Sequence, residues 1–366
     1  MTETIIDLRN VHFSEAETTL ASFGGLTASV WRYRGGVAAL RLTSDMGHVI
    51  VLPFQGQQIW DARFLGRTLT MKSIFSEPVQ TSDYLSTYGA FFIHCGATAL
   101  GNPGPADHHP LHGELPNANY QDASLVTGID SDGPFLGMTG FYRHAVAFQH
   151  HYVARPMIKL HAGSSRIRAT LQIQNLKHSP MELMYLAHVN FRPADHTRLI
   201  DTVPDDPCSV RLRLNPPPGF LAMDQHRQLL DALRANPVLH RAIGAEGMTE
   251  SAIDPEIVFA MDCRSDASGW AHAMQRHADG TADFISHRPD ELPCAVRWMT
   301  RNGDLDALGL MLPATAEADG YAAEKAKGHI RMIPPRGFFT CNLEFGALDG
   351  DAAAALVRVI DNAMGR

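Results

Sequence analysis

The chain has 366 residues, of which 45% are hydrophobic and 19% are charged, and its formal net charge is −8 at pH 7. This mixture is typical of a soluble globular protein. It argues against nucleic acid as a partner, because no basic tract occurs, and against a membrane, because no apolar run has spanning length. The five scattered cysteines and the acidic start of the chain, which shows no signal peptide, favour free thiols in the cytoplasm.

Short apolar or alternating runs follow one another along the chain, separated by Gly, Pro, Asn or Asp, and each is typical of a strand. The main candidates are 26–33, 37–42, 48–52, 59–64, 158–162, 166–175, 181–191, 256–263, 269–277, 282–287, 295–300, 309–312, 329–333 and 338–348. The alternation is clearest at 166–175. Helical spacing occurs from Asp224 to Ile243, interrupted by Pro237, and from Asp351 to Met364. The pattern predicts one mainly β domain over residues 1–366, a large antiparallel β-sandwich with few short helices.

The stretch Leu111–Asn117 holds a histidine and a carboxylate two residues apart, His112 and Glu114. If this segment is extended, both side chains face one cavity, because alternate residues of a strand share a face. Gly113 between them allows close approach of a ligand or another backbone. A polar surface turn is the alternative interpretation of the same residues.

A second histidine, His188, lies in a strongly strand-like run two residues before Asn190. Both side chains are expected on the same face, where they either line a cavity or form internal hydrogen bonds.

Histidines are also dense just before Glu114, at positions 94, 108, 109 and 112. Histidine and carboxylate side chains suit several divalent metals, so a metal-dependent sugar isomerase is one alternative. A histidine-rich loop in solvent is the other.

Several further residues are of the types that bind polyhydroxylated ligands. Arg63 and Lys72 accompany a run of glutamines and Trp60, and Trp298 offers a flat apolar face for a sugar ring. Asp254 and Glu256 lie at the start of a predicted strand. They either bind sugar hydroxyls or are solvated charges at the edge of the sheet.

Three segments resemble the aldose 1-epimerase (galactose mutarotase-like) superfamily, and in particular its uncharacterised aldose-epimerase-like branch. They are Leu111–Gly113, the strand pair around Asn175 and Ala187–Phe191, and the stretch from Gly309 to Gly337. The resemblance spans most of the chain, although each motif is short.

The resemblance implies a β-sandwich with a sugar cleft and a ring opening that uses no cofactor. A carboxylate removes the proton of the anomeric hydroxyl and a histidine protonates the ring oxygen. By position, His188 corresponds to the acid, and His112 binds the sugar near the ring oxygen.

The family glutamate falls at Met311, whose thioether does not take a proton at neutral pH. We therefore expect another carboxylate to serve as the base, with Glu114 first and Asp254, Glu256 and Glu344 behind it. The alternative is a non-catalytic carbohydrate-binding or regulatory module on the same fold.

The hypothesis from sequence is thus an isomerase that acts on a free monosaccharide or a sugar acid. Asn190, Asp254, Glu256 and Trp298 are the expected substrate-binding residues. Arg63, Lys72 and Arg192 are candidate partners for an anionic group of the ligand. The expected partner is a small carbohydrate, and the expected assembly is a monomer or a homodimer.

Overall fold

The computed structural model describes residues 3–213, 224–242 and 253–366. Its strands, in chain order, are β1 Thr4–Asp7, β2 Thr18–Phe23, β3 Leu26–Arg32, β4 Ala38–Ser44, β5 Gly47–Val51, β6 Ile59–Phe64, β7 Arg67–Thr68, β8 Phe92–Ala97, β9 Asp122–Asp130, β10 Gly133–Val146, β11 His150–His161, β12 Arg166–Asn175, β13 Met181–Val189, β14 Leu199–Asp201, β15 Val210–Leu212, β16 Ile253–Met261, β17 Ala271–Arg276, β18 Ala282–His287, β19 Cys294–Arg301, β20 Asp306–Ala314, β21 Arg331–Ile333 and β22 Phe338–Leu348.

These strands form two antiparallel sheets, which confirms the predicted β-sandwich. The smaller sheet has nine strands in the order β1-β9-β10-β11-β12-β22-β18-β17-β14. The larger has thirteen, with the path β15-β16-β19-β20-β13-β8-β6-β5-β4-β3-β2, to which β7 and β21 are added at β6 and β13. Strands distant in sequence are therefore neighbours in both sheets.

The alternation in β12 shows how the sequence builds the sandwich. Its buried residues Ile167, Ala169, Leu171 and Ile173 belong to the core between the sheets, whereas Arg166 and Arg168 are exposed. Burial of one apolar face of each sheet against the other supplies the main driving force for folding.

The larger sheet also buries apolar residues on its other face. In β13, Leu183 and Tyr185 belong to the core between the sheets, while Met184 and Leu186 belong to a second cluster on the opposite face. Loops cover this outer face, and the candidate site lies beneath them.

The described helices are α1 Asp224–Ala235, α2 Tyr321–Lys327 and α3 Gly350–Met364. The predicted helix over 224–243 is shorter in the structure, because Pro237 lacks an N–H for the helical ladder and begins a separate 3₁₀ turn, Pro237–Arg241. Ile243 lies outside the described residues. The terminal helix is confirmed, and the Asp349 side chain accepts a hydrogen bond from the N–H of Ala352 at its start. No described helix is long and apolar enough to cross a membrane.

Candidate functional site

A cavity of about 200 Å³ opens on the outer face of the larger sheet. Its floor is formed by β13, β16, β19 and β20, and its walls by loop residues before β8 and around His112 and Asn302. The volume is small beside the roughly 300–1,000 Å³ typical of sites for drug-sized ligands, so it suits a monosaccharide. The cavity is lined by Tyr84, Leu85, Tyr88, Asn102, Leu111, His112, Leu186, His188, Arg213, Asp254, Pro255, Glu256, Val258, Val296, Trp298, Thr300, Asn302, Leu305, Leu312 and Ala318.

Two histidines that are distant in sequence meet in this cavity. The ring centroids of His112 and His188 lie 5.7 Å apart, and the two ring planes are nearly perpendicular at 88°. Trp298 contacts His188 edge to face with a centroid distance of 5.3 Å. Tyr84 lies 5.1 Å from His112 by the same measure. The imidazoles therefore share a cavity with aromatic walls.

The protonation of His188 is set by Asn190. The Asn190 amide group donates to the carbonyl of Ala90 at 2.9 Å, which leaves its Oδ1 atom 2.7 Å from Nδ1 of His188. Oδ1 only accepts, so Nδ1 carries the proton and Nε2 keeps a lone pair. Burial lowers the pKa of His188 to about 4, against a smaller opposing effect of the Asn190 hydrogen bond. At neutral pH, His188 is therefore an uncharged acceptor.

His112 is uncharged for a similar reason. Burial lowers its pKa well below the usual value, and the positive charge of Arg213 acts in the same direction. Its Nδ1 atom is buried without a hydrogen-bond partner among the described residues. Because a buried, unpaired N–H is rarer than an unpaired acceptor, we assign the proton to Nε2, which makes His112 a donor.

Glu256 is a carboxylate of the cavity floor. Its Oε2 atom accepts a hydrogen bond of 2.6 Å from Nε1 of Trp298, and its Oε1 atom lies 3.7 Å from the guanidinium of Arg213. These contacts fix the carboxylate next to the indole ring that contacts His188. Asp254, two residues earlier on the same strand, also lines the cavity, with Asn302 Nδ2 at 3.5 Å from its Oδ1.

A family described as a domain of unknown function, DUF4432, matches residues 34–193, which include both cavity histidines. A "putative aldose 1-epimerase" from Klebsiella pneumoniae is 15% identical, with a TM-score of 0.82 over 100% of this chain and 96% of that chain. A galactose mutarotase-like protein from Clostridium acetobutylicum is 12% identical, with a TM-score of 0.56 over 92% of this chain and 99% of that one.

The chain has the galactose mutarotase-like fold. This confirms, at the level of the fold, the resemblance inferred from the three sequence segments. No curated protein sequence matches the chain.

Within the mutarotase-like fold, Glu114 does not lie where the sequence predicted. His112 and Gly113 have positive φ angles of 58° and 74°, so the segment turns and the side chains of His112 and Glu114 do not share a face. A Cβ atom at Gly113 would lie 2.4 Å from the carbonyl oxygen of Ala99. The Glu114 carboxylate instead accepts hydrogen bonds from Tyr152 Oη at 2.6 Å and Thr98 Oγ1 at 2.8 Å, away from the cavity lining.

The predicted cationic residues also lie outside the cavity lining. Arg63 is an exposed side chain paired with Asp61 at 3.0 Å, and Lys72 donates to the carbonyl of Gly303 at 2.6 Å. Arg192 donates to the carbonyl of Thr70 at 3.0 Å. Strand alternation and the paths of the loops place these side chains outside the cavity. Their spacing along the sequence did not indicate this placement.

Asn190 was expected to bind substrate, but it is fully buried and does not line the cavity. Its side chain contacts His188, the carbonyl of Ala90 and, at 3.5 Å, the hydroxyl of Tyr88. The remaining substrate-binding candidates, Asp254, Glu256 and Trp298, do line it.

Met311 is fully buried, and its sulfur lies 4.0 Å from the sulfur of Cys263, on the side of the core between the sheets. The next residue, Leu312, lines the cavity. Glu344 lies on the smaller sheet, paired with Arg166 at 3.0 Å, and is thus remote from the cavity.

The proposed histidine metal cluster does not assemble. His94 Nδ1 lies 2.8 Å from the Tyr185 hydroxyl, a side chain of the core between the sheets, whereas His112 faces the cavity and His108 is exposed. Among the described residues, the groups with ligand atoms within 4.8 Å of one another lie elsewhere: Asp130, Asp132 and His161, and Glu317, Glu324 and His329. Lysine side chains already bind both groups.

Tyr84, Tyr88 and Arg213 are cavity residues that sequence reasoning missed. The repeat Tyr84-Leu85-Ser86-Thr87-Tyr88, in a stretch without strand alternation, is the signal that pointed to a loop with aromatic residues. Arg213 offers no local signal, because it is placed by the pairing of β15 with β16.

Proposed function

We propose that this protein is an aldose 1-epimerase that interconverts the anomers of a free monosaccharide, with His188 as the proton carrier. The observation that carries the proposal is the state of His188: an uncharged imidazole that lines a small cavity, held through Nδ1 by Asn190 and with Nε2 as its remaining acceptor. The mutarotase-like fold supports the assignment.

In the proposed reaction, Nε2 of His188 takes the proton of the anomeric hydroxyl, O1. The electron pair of the O1–H bond forms the C1=O1 carbonyl while the C1–O5 bond breaks, and the imidazolium returns its proton to O5. Rotation about the C1–C2 bond presents the other face of the aldehyde, and the same steps in reverse close the ring. Every proton and electron pair is conserved, so the reaction requires no cofactor.

This proposal differs from the role that the sequence resemblance implied for His188. A group with a pKa of about 4 is almost entirely unprotonated at pH 7, so it begins the cycle as a base rather than as an acid. The negative charge of Glu256 in the same cavity then stabilises the transient imidazolium. No carboxylate at position 311 is needed for this route.

The other lining groups are assigned to binding. Trp298 offers an aromatic face or edge to the sugar ring, and Glu256 and Asp254 accept hydrogen bonds from its hydroxyls. His112 donates to the sugar from Nε2. The free cysteines agree with the reducing cytoplasm in which we propose that the protein acts.

Saturation-transfer NMR tests the proposal directly, since it measures the exchange between α and β anomers of each sugar. We expect acceleration above the uncatalysed rate for at least one aldose, and a loss of about 10²-fold or more in the variant His188→Gln. The matched control is His108→Gln, because His108 is exposed outside the cavity lining. Sugars that raise the melting temperature without faster anomer exchange would instead identify a non-catalytic binding module.

A further inference from the structure

The floor of the cavity has an aliphatic end. Leu186, Val258, Val296 and Leu312 come from four strands that are neighbours in the order β16-β19-β20-β13. Val296 pairs directly with Leu312, and Val258 pairs with Trp298. All four side chains belong, with Trp298, to the apolar cluster on the outer face of the larger sheet, and they lie beside His188.

Apart from His188, the polar groups of the floor lie at the opposite end. Along β16 the lining residues run Asp254, Pro255, Glu256 and Val258, and along the antiparallel strand β19 they run Thr300, Trp298 and Val296. Carboxylates and a hydroxyl therefore give way to aliphatic side chains in the same direction on both strands. Leu85 and Leu111 also line the cavity from the loops, whereas Leu305 lies in the turn after β19, beside Asn302.

The cavity offers no free cation to a ligand. Arg213, the one lysine or arginine among the described lining residues, is held by Asp319 at 2.9 Å and lies 3.7 Å from Glu256. The stretches outside the described residues contain no lysine, arginine or histidine. Both cavity histidines are uncharged, while Asp254 and Glu256 are acidic, so the cavity repels an anionic ligand.

From this division we infer that the substrate is an uncharged sugar with an apolar substituent on C5, beside the ring oxygen, in its simplest form a 6-deoxyhexose. The inference rests on the proposed function, because O1 must be free to exchange. With O1 at His188 and hydroxyls at Glu256 and Asp254, the aliphatic end receives a methyl group. A hydroxymethyl group there loses hydrogen bonds to water and gains none, and a carboxylate meets both desolvation and repulsion.

Matched sugars that differ only at C6 provide the test. Each set contains the hexose, its 6-deoxy form and its uronate, in the D-galacto, D-gluco and D-manno series, and binding is measured by titration calorimetry. In the series that binds best, we expect the 6-deoxy sugar to bind about 10-fold more tightly than the hexose and more than 100-fold more tightly than the uronate. Equal or tighter binding of the hexose or the uronate overturns the inference.

A variant locates the effect. Val296→Thr preserves the side-chain shape but adds a hydroxyl to the aliphatic end, and should reduce the preference for the 6-deoxy sugar to about 3-fold or less. Val359→Thr is the matched control, since Val359 is a half-exposed residue of α3 outside the cavity. An unchanged preference in Val296→Thr contradicts the assignment.

The binding order and the reaction are separable. A preference for the 6-deoxy sugar without faster anomer exchange supports the inference on ligand class and overturns the proposed catalysis. Anomer exchange that is accelerated for uronates as much as for 6-deoxy sugars supports the proposed catalysis and overturns the inference on ligand class.

Discussion

The Nδ1 atom of His188 lies 2.7 Å from Oδ1 of Asn190, and this contact decides which nitrogen of the imidazole is open to a ligand. Asn190 has no exposed surface and does not line the cavity, so it acts on a ligand through the cavity side chains that it contacts, His188 and, at 3.5 Å, the Tyr88 hydroxyl. It is a positioning residue.

Replacement of Asn190 tests this positioning role. In Asn190→Ala the ring loses the acceptor that fixes its tautomer, and we expect the turnover rate of anomer exchange to fall about 10- to 100-fold. The Michaelis constant should change little, because Asn190 does not line the cavity. Asn190→Ser, which restores a short acceptor, should recover part of the rate if the hydrogen bond rather than packing is responsible.

The pH profile of anomer exchange reports the state of His188 itself. Since the uncharged ring takes the first proton, the rate should be nearly constant from pH 8 to pH 5 and should fall as the pH approaches about 4. In Asn190→Asp, a carboxylate next to the ring favours the imidazolium and should move this decline to higher pH. A rate that rises with acidity instead indicates that His188 acts as the initial acid. Circular dichroism at each pH establishes that the protein is folded.

Two glutamates distinguish the sequence hypothesis from the observed geometry. Glu256→Gln keeps an acceptor for Trp298 Nε1 but removes the negative charge from the cavity, and should lower kcat/KM about 100-fold. Glu114 lies outside the cavity lining, so Glu114→Gln should change kcat/KM less than about 3-fold. It should nevertheless reduce the melting temperature, since its hydrogen bonds to Tyr152 and Thr98 weaken. A larger fall in kcat/KM for Glu114→Gln than for Glu256→Gln would instead identify Glu114 as the functional carboxylate.

Because several histidines are buried, we expect the folded protein to lose stability at low pH. Burial lowers the pKa of His94 and His287 to about 3 and that of His188 to about 4. Below pH 6.5 these histidines bind protons in the unfolded chain but not in the folded one. Their contribution to the free energy of unfolding is therefore fully present above pH 6.5 and decreases as the pH falls towards 4. Each histidine contributes a slope of about 1.4 kcal/mol per pH unit in that range.

Urea unfolding at pH 7 and pH 5 measures this loss of stability. The variant His94→Gln should make the difference between the two pH values smaller, because it removes one buried titrating ring. His108→Gln should leave the difference unchanged, because His108 is exposed. Equal stability at both pH values contradicts the expectation.

A glutamate at position 311, where the sequence resemblance implied the catalytic base, should damage the protein rather than activate it. The Met311 side chain packs against Cys263 in the core between the sheets, so Met311→Glu buries an unpaired charge and should cost about 4 kcal/mol or more. Met311→Leu, a volume-conserving control, should cost less than about 1.5 kcal/mol. Thermal unfolding of the two variants provides the comparison. Faster anomer exchange in Met311→Glu would show that this position does reach the cavity.

The sequence predicted the fold through local patterns. Alternation at 166–175 indicates a half-buried strand because the side-chain period of a strand is two residues, and it is this period that the sandwich uses. The order of strands in each sheet depends on contacts between distant segments, such as β12 with β22, and no local pattern encodes it. The short helix α2 was missed because seven residues carry too little periodicity.

By itself, the sequence determined the β-sandwich and drew attention to His112 and His188, since each stands in a short motif of recognisable type. The tertiary structure alone decided which acidic group accompanies them. A positive φ angle at His112 turns Glu114 away, and the pairing of β16 with β19 places Glu256 against Trp298. Spacing along the chain indicates a shared face only while the backbone remains extended. A cavity, in contrast, is lined by residues from distant strands and loops, which only folding brings together.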